Sequence, residues 1–410
     1  MRQLGPITIT GGRLVTPGGL RDGVIRLADG RIAALGDVRP QDGDEVIDAK
    51  GQLVAPGLVD FGVFKVDKRA FHFGGITRAA LMPDQSPPLD LPSRVSYIAR
   101  SGKPDFWVHP LAAATRGLEG REIAEIALMR EAGARGIATG RRWIADAGVM
   151  LRLLQYAAML DMTVVAHAED AALVGEAVST AGEIATRRGL PSAPAAAEAI
   201  AIARDIALAE LAGARLHLRQ VTTRAGLDLV RAARARGMPV TCGVTPAHFM
   251  LSDLATADFR TFARLSPPLR CEDDRIAVRE ALADGTIDLV ASSHDPRGPE
   301  DKRLPFADAE PGMAGAETLL AMVLSLVRDG VIDMVRAFDL LAAAPARLLG
   351  VEAGVLAEGY EADIALVDPD RPWVIQSAKM EATAGNTPFD RQPTQGRVSA
   401  LWKGGVVVAL

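Results

Sequence analysis

ARLHLRQVTTRAGLDLVRAARARGMPVTCGVT (214–245) is the stretch that decides the fold. It opens on an apolar strand (ARLHLRQV, 214–221), continues as a helical segment (RAGLDLVRAARARG, 224–237) and closes on a second apolar strand (PVTCGVT, 239–245). Strand, helix and strand in direct succession form the unit from which parallel sheets are built. The same unit recurs on both sides. Upstream lie VDFGVF (59–64), ITRAALMP (76–83), DFWVHPLAA (105–113), GARGIATG (133–140) and TVVAHAED (163–170); downstream lies IDLVASSHDP (287–296). Helical stretches such as EIAEIALMREA (122–132), GVMLRLLQYAAML (148–160) and AAAEAIAIARDIALAELAG (195–213) fall between them. Eight buried-type strands alternating with helices predict a closed (β/α)8 barrel of the TIM type. A doubly wound open sheet is the alternative, but no GxGxxG follows the first strand.

The two ends of the chain read differently. Residues 1–55 are short strands separated by Gly and Asp turns. After two further helices (315–330 and 334–350), strands return at 355–368, 373–375 and 396–410. The expected organisation is therefore a small β-sandwich built from 1–55 and 351–410, flanking a barrel at 56–350. The segment FKVDKRAFHFGG (64–75) reads as a solvated loop, with a subunit contact as the alternative.

Composition narrows the function. A net charge of -5 argues against nucleic acid as a partner, because phosphate binding needs a basic footprint. Cys242 and Cys271 cannot make a disulfide framework; both are expected to be buried thiols in a reducing cytoplasm. The start, MRQLGPITITGG, has no apolar h-region, and no long uncharged apolar run suggests a membrane span. Six histidines and two cysteines are a meagre stock for a metal centre.

In such barrels, sites form at the C-terminal ends of the strands. Those ends carry Gly62 and Phe64, Asp84, Thr139 and Gly140, His167 with Glu169 and Asp170, Gln220, and Ser293, His294, Asp295 and Arg297. Along the chain, PGLVDFGVF, TVVAHAED, LRQVTTRAGLDLVRAARARGMPVTCGVTPAH, LSPPLRCEDD, DGTIDLVASSHDP, GMAGAET, EADIALVDPD and GNTPFD occur in order. In these motifs the chain resembles the bacterial-type dihydroorotases of the amidohydrolase superfamily. The resemblance runs from about residue 10 to the C-terminus. It implies the same barrel and sandwich, pyrimidine synthesis as the setting, and bound zinc acting on carbamoyl aspartate or dihydroorotate.

The resemblance also implies where the zinc ligands should stand, and there the sequence departs from it. The HxH pair at the end of strand one matches Gly62 and Phe64, which have no donor atoms. The strand-four carboxylated lysine or carboxylate matches the segment ending in Thr139 and Gly140. No lysine lies between Lys103 and Lys302, so a carboxylated lysine cannot come from there. The strand-six histidine matches Gln220. The strand-eight aspartate, ligand and general base in the family, matches Ser293. Only His167, on strand five, is kept, and one imidazole does not hold zinc. Substrate-binding positions change as well: the arginine after HxH matches Val66, the asparagine after MP matches Asp84, and the last histidine of the strand-eight motif matches Arg297.

The expectation is a barrel without metal or catalytic residues and with a remnant pocket of His167, Asp84, Arg297 and His294. In that pocket Asp84 and Arg297 are expected to pair with each other, and His167 to be hydrogen-bonded beside Glu169. His217 and His248 read as structural. Phe64 is expected to fill the former metal cavity. Non-catalytic homologues of this family resemble a structural partner of aspartate carbamoyltransferase, and the catalytic chain of that enzyme is the partner implied here, with homo-oligomers a further option. The alternatives are an active dihydroorotase or related cyclic amidohydrolase with an unorthodox site, and a small-molecule sensor.

Overall fold

The computed structural model describes residues 5–408. Residues 1–4 and 409–410, at the outer ends of the two expected sandwich segments, lie outside the described residues. The barrel wall is made of Leu58–Val63, Ile76–Leu81, Trp107–Pro110 (resuming at Ala112–Ala113), Ile137–Ala138, Val164–Ala166, Leu216–Leu218, Val240–Val244 and Leu289–Val290. Seven of the eight strands lie within the predicted segments and the first begins one residue early, at Leu58; neighbours pair in parallel in chain order. At the seam between strands eight and one, Phe64 N donates to His294 O at 2.9 Å, and Asp60 accepts from Ser292 N at 2.9 Å. The (β/α)8 expectation is borne out.

The strands are apolar throughout because both faces are covered. Val59, Phe61, Ala80, Leu111, Ala138, Val165 and Leu289 pack inside the barrel, and a larger cluster packs the helices against its outside. The helix Ala344–Leu349 turns Ala346 and Leu349 into the interior cluster and closes the N-terminal end. It follows a π-helical turn at Asp339–Ala343 inside the predicted 334–350 helix. Pro345 has no N–H to give to the Leu341 carbonyl, so the helical ladder opens there.

The terminal strands join in one eight-stranded sheet. Ile7–Thr16, Gly19–Ala28, Arg31–Gly36, Glu45–Asp48 and Leu53–Pro56 come from one end, and Ile364–Val374, Pro393–Lys403 and Val406–Val407 from the other. The sheet forks at Ile7–Thr16, whose first half pairs with Glu45–Asp48 and whose second half pairs with Leu53–Pro56. Its core, with Ile9, Leu14, Ile25, Leu27 and Trp402, is separate from the barrel's. Where sheet meets barrel, Arg78 donates to Asp363 at 2.9 Å and Lys403 pairs with the same carboxylate at 3.0 Å.

Three local expectations are corrected. No strand forms over 355–363; the strand begins at Ile364 and runs through the predicted 373–375 strand to Val374, with a register shift between Asp368 and Pro372. The segment 64–75 is not a solvated loop but contains the helix Lys68–Phe73. Its Phe71 is buried and stacks on Phe106 at 4.9 Å, so an apolar anchor overrides the charged composition. Cys242 is buried, but Cys271 is exposed because it caps the helix Glu272–Ala283 from outside. No helix among the described residues is long and apolar enough to cross a membrane.

Candidate functional site

The strand ends bring together all the family's ligand positions, and a guanidinium lies among them. Arg219 follows the strand Leu216–Leu218 and is 3% exposed. Its Nη2 donates to His167 Nδ1 at 3.2 Å and its Nη1 to Ser293 Oγ at 3.3 Å. A Cβ placed on Gly62 would stand 3.7 Å from Arg219 Cδ. The guanidinium carbon is 5.2 Å from the centre of the Phe64 ring. Arg219 thus touches the positions matched to the first, fifth and eighth strand ligands. Gln220 Nε2 donates to the same Ser293 Oγ at 3.0 Å.

Phe64 fills the space beside Arg219 and is covered on its ring face by a second cation. The half-buried Arg141 guanidinium stacks at 3.6 Å from the ring centre, a cation–π contact. Arg141 also donates to Asp295 Oδ2 at 2.8 Å. At the end of strand four Thr139 turns inward, where its Oγ1 accepts from His167 N at 3.0 Å. A side chain on Gly140 would meet the Asp84 carboxylate at 2.9 Å, and Asp84 accepts instead from Arg141 N at 2.9 Å.

The electrostatics follow from burial. Burial, followed by the nearby charge of Arg141, pushes the Arg219 pKa down to about 10, so it stays cationic at neutral pH. Burial pushes the Glu169 carboxyl up, but hydrogen bonding to His167 and the charge of Arg270 outweigh it and hold the carboxyl near 2. Behind the mouth, Arg270 pairs with Glu169 at 2.7 Å and with Glu198 at 3.3 Å, and donates to Thr222 at 2.9 Å. This is a satisfied buried network. Burial drives His217 to about 3 and His248 to about 4, so both are neutral. His248 bonds Thr245 and the Pro267 carbonyl, in line with a structural role.

The four remnant-pocket residues do not form one pocket. His167 faces the mouth, where Glu169 approaches it at 3.4 Å. His294 is fully buried and turns away from the mouth: Ala316 N donates to its Nδ1 at 3.3 Å, and Asp67 lies 3.8 Å from Nε2. The expected pairing of Asp84 with Arg297 is corrected. Arg297 pairs with Asp295 at 3.1 Å, because that carboxylate is two residues away on the same turn and is also held by Arg141. Asp84 keeps one buried oxygen without a partner. The cavity left between Phe64, Arg141, Gln220 and Ser293 is about 20 Å³, room for one water.

A zinc ion does not fit this donor set. Arg219 presents N–H groups and a positive charge where lone pairs are needed, and Gly62 and Phe64 offer none. Among the described residues, no three of His, Cys, Asp and Glu gather as a metal cluster. Sequence reasoning missed Arg219 and Arg141. The available signal was an arginine directly beside Gln220 at the C-terminal end of a barrel strand, where sites form.

Comparisons with known proteins agree with this architecture. Residues 51–226 match the Dihydro-orotase-like family. A dihydroorotase of Geobacter sp. (strain M21) is 37% identical, with 98% of this chain and 99% of the relative covered. A dihydroorotase of Pelotomaculum thermopropionicum is 40% identical, with 98% of each chain covered. Among solved structures, an L-hydantoinase (dihydropyrimidinase) from Arthrobacter aurescens superposes with a TM-score of 0.88 at 26% identity, covering 98% of this chain and 96% of that one. Likeness over nearly the full length, together with the barrel and the collinear strand-end positions, makes this chain a member of the dihydroorotase-like family of amidohydrolases.

Proposed function

We propose that this chain is a dihydroorotase-like protein of pyrimidine biosynthesis that is catalytically inactive and serves as a structural partner of aspartate carbamoyltransferase. The observation that carries the first half is the Arg219 guanidinium, hydrogen-bonded to His167 and Ser293 where the family resemblance implies a metal. A resident cation held by hydrogen bonds competes with any divalent ion for the same space and charge. No side chain at the strand-eight position can shuttle a proton at neutral pH: Ser293 has an ordinary hydroxyl whose oxygen already accepts from Gln220.

The structural half draws on the contrast between an altered site and an intact core. The interior and exterior barrel clusters are continuous, and the sheet has its own core. A family member that keeps its fold at 37–40% identity to dihydroorotases while losing the ligand set retains a role that needs the fold. The transcarbamoylase catalytic chain is the partner that the family resemblance implies.

Metal analysis and dihydroorotate turnover on the purified protein test the first half. The expected outcome is substoichiometric zinc and no turnover, also after incubation with zinc. Stoichiometric zinc with turnover would instead make it an active enzyme with an unorthodox site. Co-purification with the transcarbamoylase tests the second half. A stable complex in which transferase activity rises supports it; a fully active transferase that forms no complex removes it.

A further inference from the structure

At the opposite end of the barrel, between the strand starts and the helix Ala344–Leu349, lies a cavity of about 680 Å³. That volume suits a drug-sized or nucleotide-sized ligand, since small-molecule pockets run about 300–1,000 Å³. Its lining is positively charged in a chain that is negative overall. Arg130, Arg135, Arg215 and Arg347 face it, against Asp161 and Asp288, an excess of two positive charges.

The two carboxylates are already engaged. Asp161 pairs with Arg215 at 3.0 Å, and Asp288 pairs with Arg234 and accepts from Cys242 N at 2.7 Å. Arg347 leans on Asp339 at 2.8 Å. Arg130 and Arg135 have no carboxylate partner among the described residues, and both are exposed to the cavity. Met162, Leu289 and Leu349 give the same cavity a buried apolar floor. Another cavity of about 310 Å³, beside the sheet, is balanced: Arg336 and Arg347 there face Asp333 and Asp339. Uncompensated guanidiniums over an apolar floor call for a ligand with several negative oxygens, which arginine binds in a forked geometry.

We propose that the N-terminal end of the barrel is a binding site for a small phosphorylated polyanion, with Arg130 and Arg135 as its anion-binding residues. The site is distinct from the altered strand-end site and independent of whether that site is active. A nucleotide and a free polyphosphate share the chemistry, and the apolar floor distinguishes them.

Titration calorimetry on the full chain tests the proposal with three probes: ATP, inorganic tripolyphosphate and adenosine. ATP and tripolyphosphate are expected to bind saturably at one site, more weakly as salt is raised, and adenosine not at all. Tighter binding of ATP assigns the floor to a base; equal binding assigns the site to the phosphates alone. Arg135→Ala and Arg130→Ala are each expected to weaken binding about tenfold or more. Both side chains are exposed, so the variants keep the fold, which an unchanged melting temperature verifies. Absence of saturable binding by either polyanion, or affinities unchanged in both variants, overturns the proposal.

Discussion

Arg219 shows how a charge can be held inside a barrel. A buried cation is costly unless it is paired and hydrogen-bonded. Here His167 and Ser293 accept two of its hydrogens, while Asp84, Glu169 and Asp295 supply negative potential from around the mouth. Removing it takes two hydrogen bonds from His167 and Ser293, strips one cation from among these carboxylates and opens a void. Arg219→Ala is expected to destabilise the protein by about 3 kcal/mol, read as a lower urea midpoint; an unchanged midpoint would mean that the guanidinium contributes nothing there. This residue was also the hardest to see in the sequence. Neighbouring residues on a regular strand face opposite sides, so with Gln220 matched to a ligand position, Arg219 should face away. The strand ends at Leu218, and beyond it both side chains reach Ser293. That Gly62 and Phe64 carry no donor atom and Ser293 no carboxylate was legible because it depends on atom types. What took their place was not, because it depends on where a strand stops.

At the scale of elements, the barrel strands were legible because burial on both faces leaves uninterrupted apolar runs, as in VDFGVF and PVTCGVT. The helix Lys68–Phe73 was not, because six residues with Lys68 and Arg69 carry too little periodicity to register. Only tertiary contact with Phe106 reveals Phe71 as core. A similar tertiary contact ties the loop before the helix Leu319–Arg328 to the 381–383 segment: Glu317 accepts from Ala382 N at 2.8 Å. Burial, with Glu381 and Asp67 nearby, pushes the Glu317 pKa up to about 7. A carboxyl raised in the folded state favours folding fully below its unfolded value near 4.5, and that contribution is lost as pH rises to about 7. Glu317→Gln, which keeps the acceptor without the charge, is expected to stabilise the protein by about 2 kcal/mol at pH 8 and hardly at all at pH 4. Melting curves at the two pH values check this; equal shifts at both would refute the ionisation argument.

Across the whole molecule, the sheet and the barrel are joined through a buried charged cluster. Arg78 on the second barrel strand donates to Asp363, and Lys403 from the last long strand of the sheet shares that carboxylate. Trp107 lies beneath both cations, 4.4 Å from each. The C-terminal part of the sheet is thus fastened to a barrel strand that lies 285 residues upstream of Asp363. Arg78→Ala is expected to cost about 3 kcal/mol, because it leaves a buried carboxylate underpaired. Unfolding followed by tryptophan fluorescence and by far-UV circular dichroism would show the loss in both signals, whereas a loss in neither would make the joint dispensable. That the two termini would share one β unit was legible from their strand-rich composition. The cluster that fastens the C-terminal strands to the barrel was not, because nothing local links residue 78 to residue 363.

The guanidinium at the barrel mouth also bears on descent. A lost ligand alone is reversible, since one codon change can return an acid or an imidazole to a vacant site. Once Arg219 lies between His167 and Ser293, that path closes. An aspartate placed at 293 would meet a cation within hydrogen-bond reach and form an ion pair with it, a side chain at 62 would start already in contact with Arg219, and a histidine at 64 would forfeit the phenyl ring under Arg141. No one of these substitutions assembles a metal centre while the arginine stays. On the function proposed above, the arginine works as a ratchet: a barrel mouth that has given up its ligands cannot regain them one at a time while the guanidinium stays between His167 and Ser293.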